Sequence, residues 1–199
     1  MSKKRIALII NIIILTLTLL SFAKTFFLEH SIAVEYYTND SNILALISSL
    51  LFIIFYKKEK DFVKDIRFLA TSCLTVTFLV VVFVLCPMYS FNYKLLMFTD
   101  IYLVFHTIVP ILSMFSYIVL ENGSSKKYLC LIFTMIYAII LIILNILNLI
   151  KGPYPFLMVT TQNPLVTILW GIIIIGGSHI IEILVNRLNK KIKKGANKV

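Results

Sequence analysis

Two side chains in this sequence have the chemistry of a hydrolytic pair. Thr38 lies in the polar stretch "EYYTNDSNIL" (35–44), and His106 begins the stretch "HTIVPIL". A hydroxyl is a weak nucleophile until a base removes its proton, and a neutral histidine suits that task near pH 7. Nucleophilic acyl transfer is therefore possible, with Asn39, Asn42 or free backbone N–H groups at a helix start as donors to an oxyanion.

The same residues also fit a purely structural role. Thr38 or Asp40 directly before an apolar helix is typical of an N-cap, and a buried histidine is often only a satisfied hydrogen-bonding group. Polar residues inside membranes more often join helices than react. The two roles are compatible if Asp40 or Ser41 caps the helix while Thr38, just before it, points at His106. Spacing alone leaves these alternatives open.

Helical spacing places both candidates on polar faces. Thr38 and Asn42 are four residues apart and share one face of a helix. His106 lies six residues after Asp100, or about 9 Å along a helix, but about 120° around it, so Asp100 is not expected to orient the imidazole. The face that contains His106 is polar and aromatic and consists of Thr99, Tyr102, His106, Pro110, Ser113 and Tyr117.

A second polar group lies near the end of the chain. His179, Glu182 and Asn186 follow i, i+3, i+7 spacing and share a helix face. Such a group could serve as a proton or cation site in a transporter. One histidine and one glutamate make at most half a metal site, however, and Glu182 and Asn186 lie close to a membrane boundary.

The elements that must position these residues are transmembrane helices. Hydrophobic residues make up 60% of the 199 residues and charged residues only 14%, whereas soluble domains are roughly half apolar and a quarter charged. A bilayer-spanning helix needs about 20 apolar residues. We therefore predict an all-α integral membrane bundle of six helices, at about 6–28, 40–56, 66–86, 100–120, 128–150 and 164–186.

The charge distribution predicts the orientation of this bundle. The net charge is +10, and of the 19 Lys and Arg residues only Lys24, Lys94 and Lys151 fall on one side of the six predicted spans. So strong a bias follows the positive-inside rule and predicts that both termini are cytoplasmic. The basic tail, residues 187–199, is then expected to face lipid headgroups rather than nucleic acid. The first apolar run exceeds a signal peptide in length and predicts an uncleaved helix.

Three short motifs resemble a known family of membrane proteins. The segments "YYTNDSNIL" (36–44), "HTIVPIL" (106–112) and "GPYPFL" (152–157) occur in this order on six predicted spans. In these features the chain resembles the androgen-induced and androgen-dependent family of membrane threonine hydrolases. It is most similar to the bacterial six-helix relatives, in which the threonine is typically followed by a polar residue and then by "SN".

The resemblance implies roles for particular residues. It makes Thr38 the nucleophile and His106, with Pro110 four residues later, the base, and it places Tyr154 in the turn that closes the fifth helix. Animal members of the family hydrolyse fatty acid esters of hydroxy fatty acids. Bacterial relatives often carry Asp at the position of Ser116 and after the "YPFL" segment, where this chain has Met158; these departures imply a different substrate or rate.

The sequence thus predicts a lipid ester hydrolase of the plasma membrane, with a lipid or fatty-acyl ester as substrate and membrane lipids around it. No metal or nucleotide cofactor is implied, because no phosphate loop or ligand cluster is present. The alternative is a non-enzymatic transporter or lipid-binding protein with a polar site at His106 or at His179 and Glu182. The pocket is expected in the outer leaflet between spans two, four and five, lined by Tyr102, Ser113, Asn145 and Tyr154.

Overall fold

The computed structural model describes residues 2–58 and 60–196. Within them the chain forms seven helices and no strand, which confirms the all-α prediction. The helices are α1 (Lys3–Glu29), α2 (Tyr37–Ile54), α3 (Asp61–Met88), α4 (Tyr93–Phe98), α5 (Asp100–Leu120), α6 (Leu129–Ile146) and α7 (Pro164–Ala196).

Six of these helices, all except the short α4, are long and apolar enough to cross a membrane. The chain is therefore a multi-pass membrane protein. Six crossings place both termini at the same end of the bundle. We call this the basic end, because Lys3, Lys4, Lys60 and Lys64 lie there, and we call the other the outer end, after the orientation that the charge distribution predicts.

Helix α3 occupies the centre of the bundle. It packs against α2, α5, α6 and α7, while α1 packs against α2 and α5. Its side chains Phe68, Leu74 and Val76 are buried in the core. Most of α6 and α7 instead exposes large apolar side chains such as Ile136 and Leu165, as expected for helices that face lipid. This arrangement leaves the space between α2, α3, α6 and α7 for a cavity near the outer end.

Proline residues determine two irregular turns in these helices. Proline has no N–H, so Pro110 cannot donate to the carbonyl four residues back, that of His106. The helix widens there into a π-turn over Leu103–Ile108, in which the N–H of Val109 donates to the carbonyl of Val104. A second π-turn precedes Pro87 in α3. In "HTIVP" the proline follows His106 by four residues, so the π-turn that it causes contains His106. Such turns are frequent at functional sites.

The start of α2 differs from the prediction. The helix begins at Tyr37, so Thr38 lies inside its first turn rather than before it, and no side chain of the N-cap residue Tyr36 caps it. Neither Thr38 nor Asp40 is the cap. Two hydroxyls from distant parts of the chain take that role: Tyr137 accepts the N–H of Tyr37 at 3.0 Å, and Tyr154 accepts the N–H of Thr38 at 3.4 Å.

A candidate active site at the outer end of the bundle

A mostly apolar cavity of about 80 Å³ lies between α2, α3, α6, α7 and the turn that follows α6. Its apolar wall includes Val76, Val80, Phe156 and Trp170. Cavities of this kind, with a few polar groups on an apolar wall, are the usual sites of small-molecule binding. The hydroxyls on its wall come from Tyr37, Thr38, Thr77, Thr134, Tyr137, Tyr154 and Thr167.

Thr38 reaches this cavity from the first turn of α2. Its side chain is buried, and its backbone N–H donates to the phenol oxygen of Tyr154 at 3.4 Å. The N-terminal turn of a helix favours negative charge, because its N–H groups and the helix dipole point outward. A hydroxyl at this position is therefore well placed to become an alkoxide or to bear an oxyanion next to it.

Tyr154 is a neutral hydroxyl at this site. Burial raises the pKa of Tyr154 to about 12, although the hydrogen bond from the N–H of Thr38 acts in the opposite direction. Because the phenol oxygen already accepts the N–H of Thr38, its own proton can be donated into the cavity. The side chain thus has the properties of a hydrogen-bond donor to an anion.

The turn that carries Tyr154 is built by its own sequence. Residues Pro155–Leu157 form a short 3-10 turn, Tyr154 and Phe156 stack at 5.1 Å between ring centroids, and Phe156 packs on Trp170 of α7 at 5.2 Å. A Cβ atom at Gly152 would lie 2.5 Å from the carbonyl oxygen of Leu157. Glycine is therefore required for the chain to fold back and hold Tyr154 against Thr38.

His106 is held in one tautomer by α4. Its Nδ1 lies 2.5 Å from the carbonyl oxygen of Leu96, and its ring stacks on Tyr102 at 5.2 Å. A carbonyl oxygen can only accept, so Nδ1 carries the proton and Nε2 of the neutral ring keeps its lone pair. This is the tautomer that a general base needs, with a backbone carbonyl in the orienting role. Asp100 forms an ion pair with Lys24 instead, consistent with its predicted position away from the imidazole.

Asn42 connects the two candidate residues. Its Nδ2 donates to the carbonyl of Thr38 at 2.8 Å and to the carbonyl of Phe105, the residue before His106, at 3.3 Å. In the described residues no direct hydrogen bond joins Thr38 to His106. Asn42 therefore fixes the backbone of both residues at the same level of the bundle, on adjacent helices, while leaving their side chains apart.

The remaining predicted residues have other contacts. Asn39 donates to the carbonyl of Ala33 at 2.8 Å, so it and Asn42 both direct amide N–H groups to backbone carbonyls. Ser113 pairs with Thr71 between α5 and α3, at 2.9 Å. Asn145 accepts the N–H of Thr160 and donates to the carbonyl of Ile150, which ties down the loop after α6. Of the four predicted pocket residues, only Tyr154 belongs to the wall of the cavity.

The walls of the cavity also differ from the prediction. The second and fifth spans (α2 and α6) line the cavity as predicted. The third and sixth spans (α3 and α7) occupy the place predicted for the fourth (α5). The reason is that α5 packs on α1: the rings of Phe22 and Phe105 lie 4.8 Å apart, and Ile14 and Val109 belong to one buried cluster. His106 is consequently not among the residues that line the cavity.

Glu182 of the second polar group caps a neighbouring helix. Its carboxylate accepts the N–H groups of Tyr128, Cys130 and Leu131 at the start of α6, where the helix dipole favours an anion. His179 stacks on the ring of Tyr128. The carboxylate that the transporter alternative requires is therefore occupied by a structural contact between α6 and α7.

Neutralising Glu182 is expected to destabilise the protein. The change Glu182→Gln retains one oxygen acceptor but loses the charge and the second oxygen, and we expect a loss of about 1–2 kcal/mol in the free energy of unfolding. Denaturant titration of the purified protein in detergent measures this loss. Glu29→Gln, at an exposed carboxylate, is the control and should change little. Unchanged stability of the Glu182 variant would contradict the capping role.

A buried ion pair at the basic end was not predicted from the sequence. Arg67 of α3 and Glu121 lie in contact, with Nε and Nη2 donating to the two carboxylate oxygens at 2.9 and 2.8 Å. Ser48 accepts from Arg67, while Ser116 and Asn11 donate to Glu121. Burial alone would raise the pKa of Glu121, but the Arg67 charge and these hydrogen bonds hold that pKa below its usual value. One signal was available: Arg67 lies within the predicted third span, 66–86, rather than in a predicted loop.

Comparisons with protein-family models, with curated proteins and with solved structures find no match to this chain. In the described residues no group of three or more His, Cys, Asp or Glu side chains is arranged to hold a metal ion. Fold and side-chain placement define a multi-pass α-helical membrane protein with a mostly apolar cavity, which several hydroxyls also line, near one end.

Proposed function

We propose that this protein is an intramembrane hydrolase of lipid esters, of the fatty acid ester of hydroxy fatty acid type that its motifs resemble. The proposal includes its location in the plasma membrane. The observation that carries it is the position of Thr38: a buried hydroxyl in the first turn of a helix, on the wall of an apolar cavity that Tyr154 also lines, with the backbone N–H of Thr38 bonded to the phenol of Tyr154.

The first half of the proposed reaction forms an acyl-enzyme. Oγ of Thr38 attacks the ester carbonyl while its proton passes to Nε2 of His106, so that a C–O bond forms and the carbonyl π-electrons move to oxygen. Tyr154 donates its hydroxyl to this oxyanion, a role that Asn39 and Asn42 were predicted to fill. The oxyanion then collapses, the ester C–O bond breaks, and the alcohol leaves with the proton that His106 returns.

In the second half of the reaction, water takes the place of the threonine hydroxyl as the nucleophile. His106 takes a proton from water, the hydroxide attacks the acyl-threonine carbonyl, and the fatty acid leaves as Thr38 recovers its proton. The apolar wall of the cavity suits an acyl chain, and its hydroxyls suit the polar ester. Catalytic hydrogen bonds are often long or poorly aligned without substrate and tighten only in the complex; here Asn42 bonds the carbonyls of Thr38 and of Phe105, the residue before His106.

Covalent labelling tests the nucleophile directly. An alkyl fluorophosphonate phosphonylates an activated hydroxyl and releases fluoride. We expect mass spectrometry of the labelled, purified protein to locate the adduct on Thr38. Thr38→Ser should retain labelling, whereas Thr38→Ala should lose it. Thr167→Ala removes another hydroxyl from the same cavity and is the matched control, which should label like the wild type. An adduct that persists in Thr38→Ala would exclude this threonine as the nucleophile.

A further inference from the structure

An open groove of about 420 Å³ lies between α6 and the residues around the start of α2. Its wall is mostly apolar, and the part that α6 contributes includes Phe133, Ile136, Ile140, Leu141 and Leu144. These residues follow the spacing of a single helix face. Ile136 and Ile140 are about half exposed, so the groove opens on the surface of α6 that faces lipid.

The groove and the cavity beside Thr38 meet at Tyr137. Among the described lining residues, Tyr137 is the one that both spaces share. Its hydroxyl donates to the carbonyl of Glu35 at 2.7 Å and accepts the N–H of Tyr37 at 3.0 Å, which fixes the ring at the boundary. A ligand bound at Thr38 therefore reaches the groove by passing the ring of Tyr137.

The two spaces differ in what they can hold. An apolar cavity of about 150 Å³ holds one benzene molecule, so the cavity of about 80 Å³ beside Thr38 has room only for an ester group and a few carbon atoms. Pockets for drug-sized ligands have volumes of roughly 300–1,000 Å³, and the groove, at about 420 Å³, lies within this range. A long chain whose ester group lies at Thr38 exceeds the cavity but fits the groove.

The charges on the groove distinguish between the two chains of the proposed substrate. In a fatty acid ester of a hydroxy fatty acid, the acyl chain ends in a methyl group, whereas the hydroxy acid ends in a carboxylate. Glu35 and Asp40 lie on the wall of the groove, and its described lining contains no basic residue. Like charges repel, most strongly where apolar walls lower the local dielectric constant. The uncharged acyl chain is therefore the better occupant.

We infer, on the basis of the proposed function, that the groove binds the long acyl chain of the ester and determines the preferred chain length. The acyl carbonyl lies at Thr38, the first carbon atoms fill the cavity, and the rest of the chain passes Tyr137 and lies along α6. The hydroxy-acid part stays outside the groove. An ester with a short acyl group does not reach the groove and gains nothing from it.

The first test compares kcat/KM for two esters of one hydroxystearic acid, one with a palmitoyl and one with a butanoyl group. The test variant is Ile140→Trp, which places a larger side chain in the groove. The matched control is Ile143→Trp: the two isoleucines are 50% and 51% exposed, but Ile143 lines neither the groove nor the cavity.

We expect the wild type to prefer the palmitoyl ester at least ~10-fold, because each methylene group that an apolar site binds adds to this ratio. Ile140→Trp should lose most of that preference while its activity on the butanoyl ester stays within about twofold of the wild type, and Ile143→Trp should keep both activities within about twofold. Equal changes for the two esters in Ile140→Trp, or the same loss of preference in Ile143→Trp, would overturn the inference.

Photolabelling separates this inference from the proposed function, because it requires no hydrolysis. The probe is an ether analogue of the palmitoyl ester with a diazirine in the middle of its chain, and mass spectrometry of the full-length protein in detergent locates the adducts. We expect adducts on the groove side chains of α6, suppressed by an excess of the analogue without the diazirine and reduced at least ~10-fold in Ile140→Trp.

The outcomes of the two tests are distinct. If no adduct in the groove is suppressed by the competitor, the inference is overturned even where both esters are hydrolysed. If the competitor suppresses adducts in the groove of a protein that hydrolyses neither ester, the proposed function is rejected, and the groove is retained as a binding site for a hydrocarbon chain.

Discussion

Replacing Thr38 by Ala is expected to lower kcat/KM for hydrolysis of a long-chain ester at least ~10³-fold, because no other group of the mechanism can form the acyl-enzyme. Thr38→Ser keeps the hydroxyl and should retain most of the activity. The measurement is release of fatty acid by the purified protein. Thr167→Ala, which removes a hydroxyl from the same cavity, is the control and should remain within a few-fold of the wild type.

His106 offers a more selective form of the same test. In His106→Asn the side-chain amide can still donate to the carbonyl of Leu96, as Nδ1 does, but it has no basic nitrogen. We expect a loss of ~10²–10⁴-fold in kcat/KM with an unfolding midpoint close to that of the wild type. Activity within tenfold of the wild type in both Thr38→Ala and His106→Asn would reject the proposed mechanism, because hydrolysis would then depend on other groups.

The fold was predictable because the bilayer restricts the choices. Backbone groups in hydrocarbon must pair within the segment, so an apolar run of about 20 residues can only be a helix. The bounds of the fourth span, 100–120, agree with α5 because Asp100 and Glu121 mark its ends. The second span begins three residues earlier than predicted, since Tyr37, Thr38 and Asn39 read as a polar loop yet form the first turn of α2.

The contacts of the candidate site were less predictable. Helical spacing placed Thr38 and Asn42 on one face, and the hydrogen bond between them follows from that spacing. The hydroxyls of Tyr137 and Tyr154, however, meet α2 across about 100 residues of sequence. Periodicity within a helix carries no information about such partners. Periodicity also does not show which helices are neighbours. The fourth span (α5) was therefore predicted at the position that α3 and α7 occupy.

The same limit explains why the charge distribution did not reveal that Arg67 is buried. The positive-inside rule counts basic residues by their side of the membrane and ignores whether they are buried. Arg67 and Glu121 are 54 positions apart, and only the packing of α3 against α5 brings them together. Buried charges in a membrane protein are costly unless paired, so the pairing itself indicates that both side chains are ionised in the fold.

Arg67→Met is expected to be the most destabilising single change, with a loss of about 3–5 kcal/mol in the free energy of unfolding. It leaves the buried carboxylate of Glu121 with only the neutral donors Asn11 and Ser116. The double variant Arg67→Met/Glu121→Leu removes both charges and should recover most of the loss, because a buried ion pair and an apolar pair of similar size are often close in stability. Unfolding in mixed micelles of a mild detergent and dodecyl sulfate gives both values.

The exposed ion pair of Lys64 and Asp61 lies at the same end of the bundle. Comparing it with the buried pair shows how much of the expected loss of stability is due to burial. Lys64→Met breaks the contact with Asp61, whose side chain is 92% exposed, and should cost no more than about 1 kcal/mol. The pKa of Glu121 lies below its usual value in the fold, so the contribution of its pair is present above the unfolded pKa and is lost as pH falls through the folded one. Acidification should therefore destabilise the wild type more than the double variant. Equal stability of Arg67→Met and Lys64→Met would show that the buried pair does not hold α3 to α5.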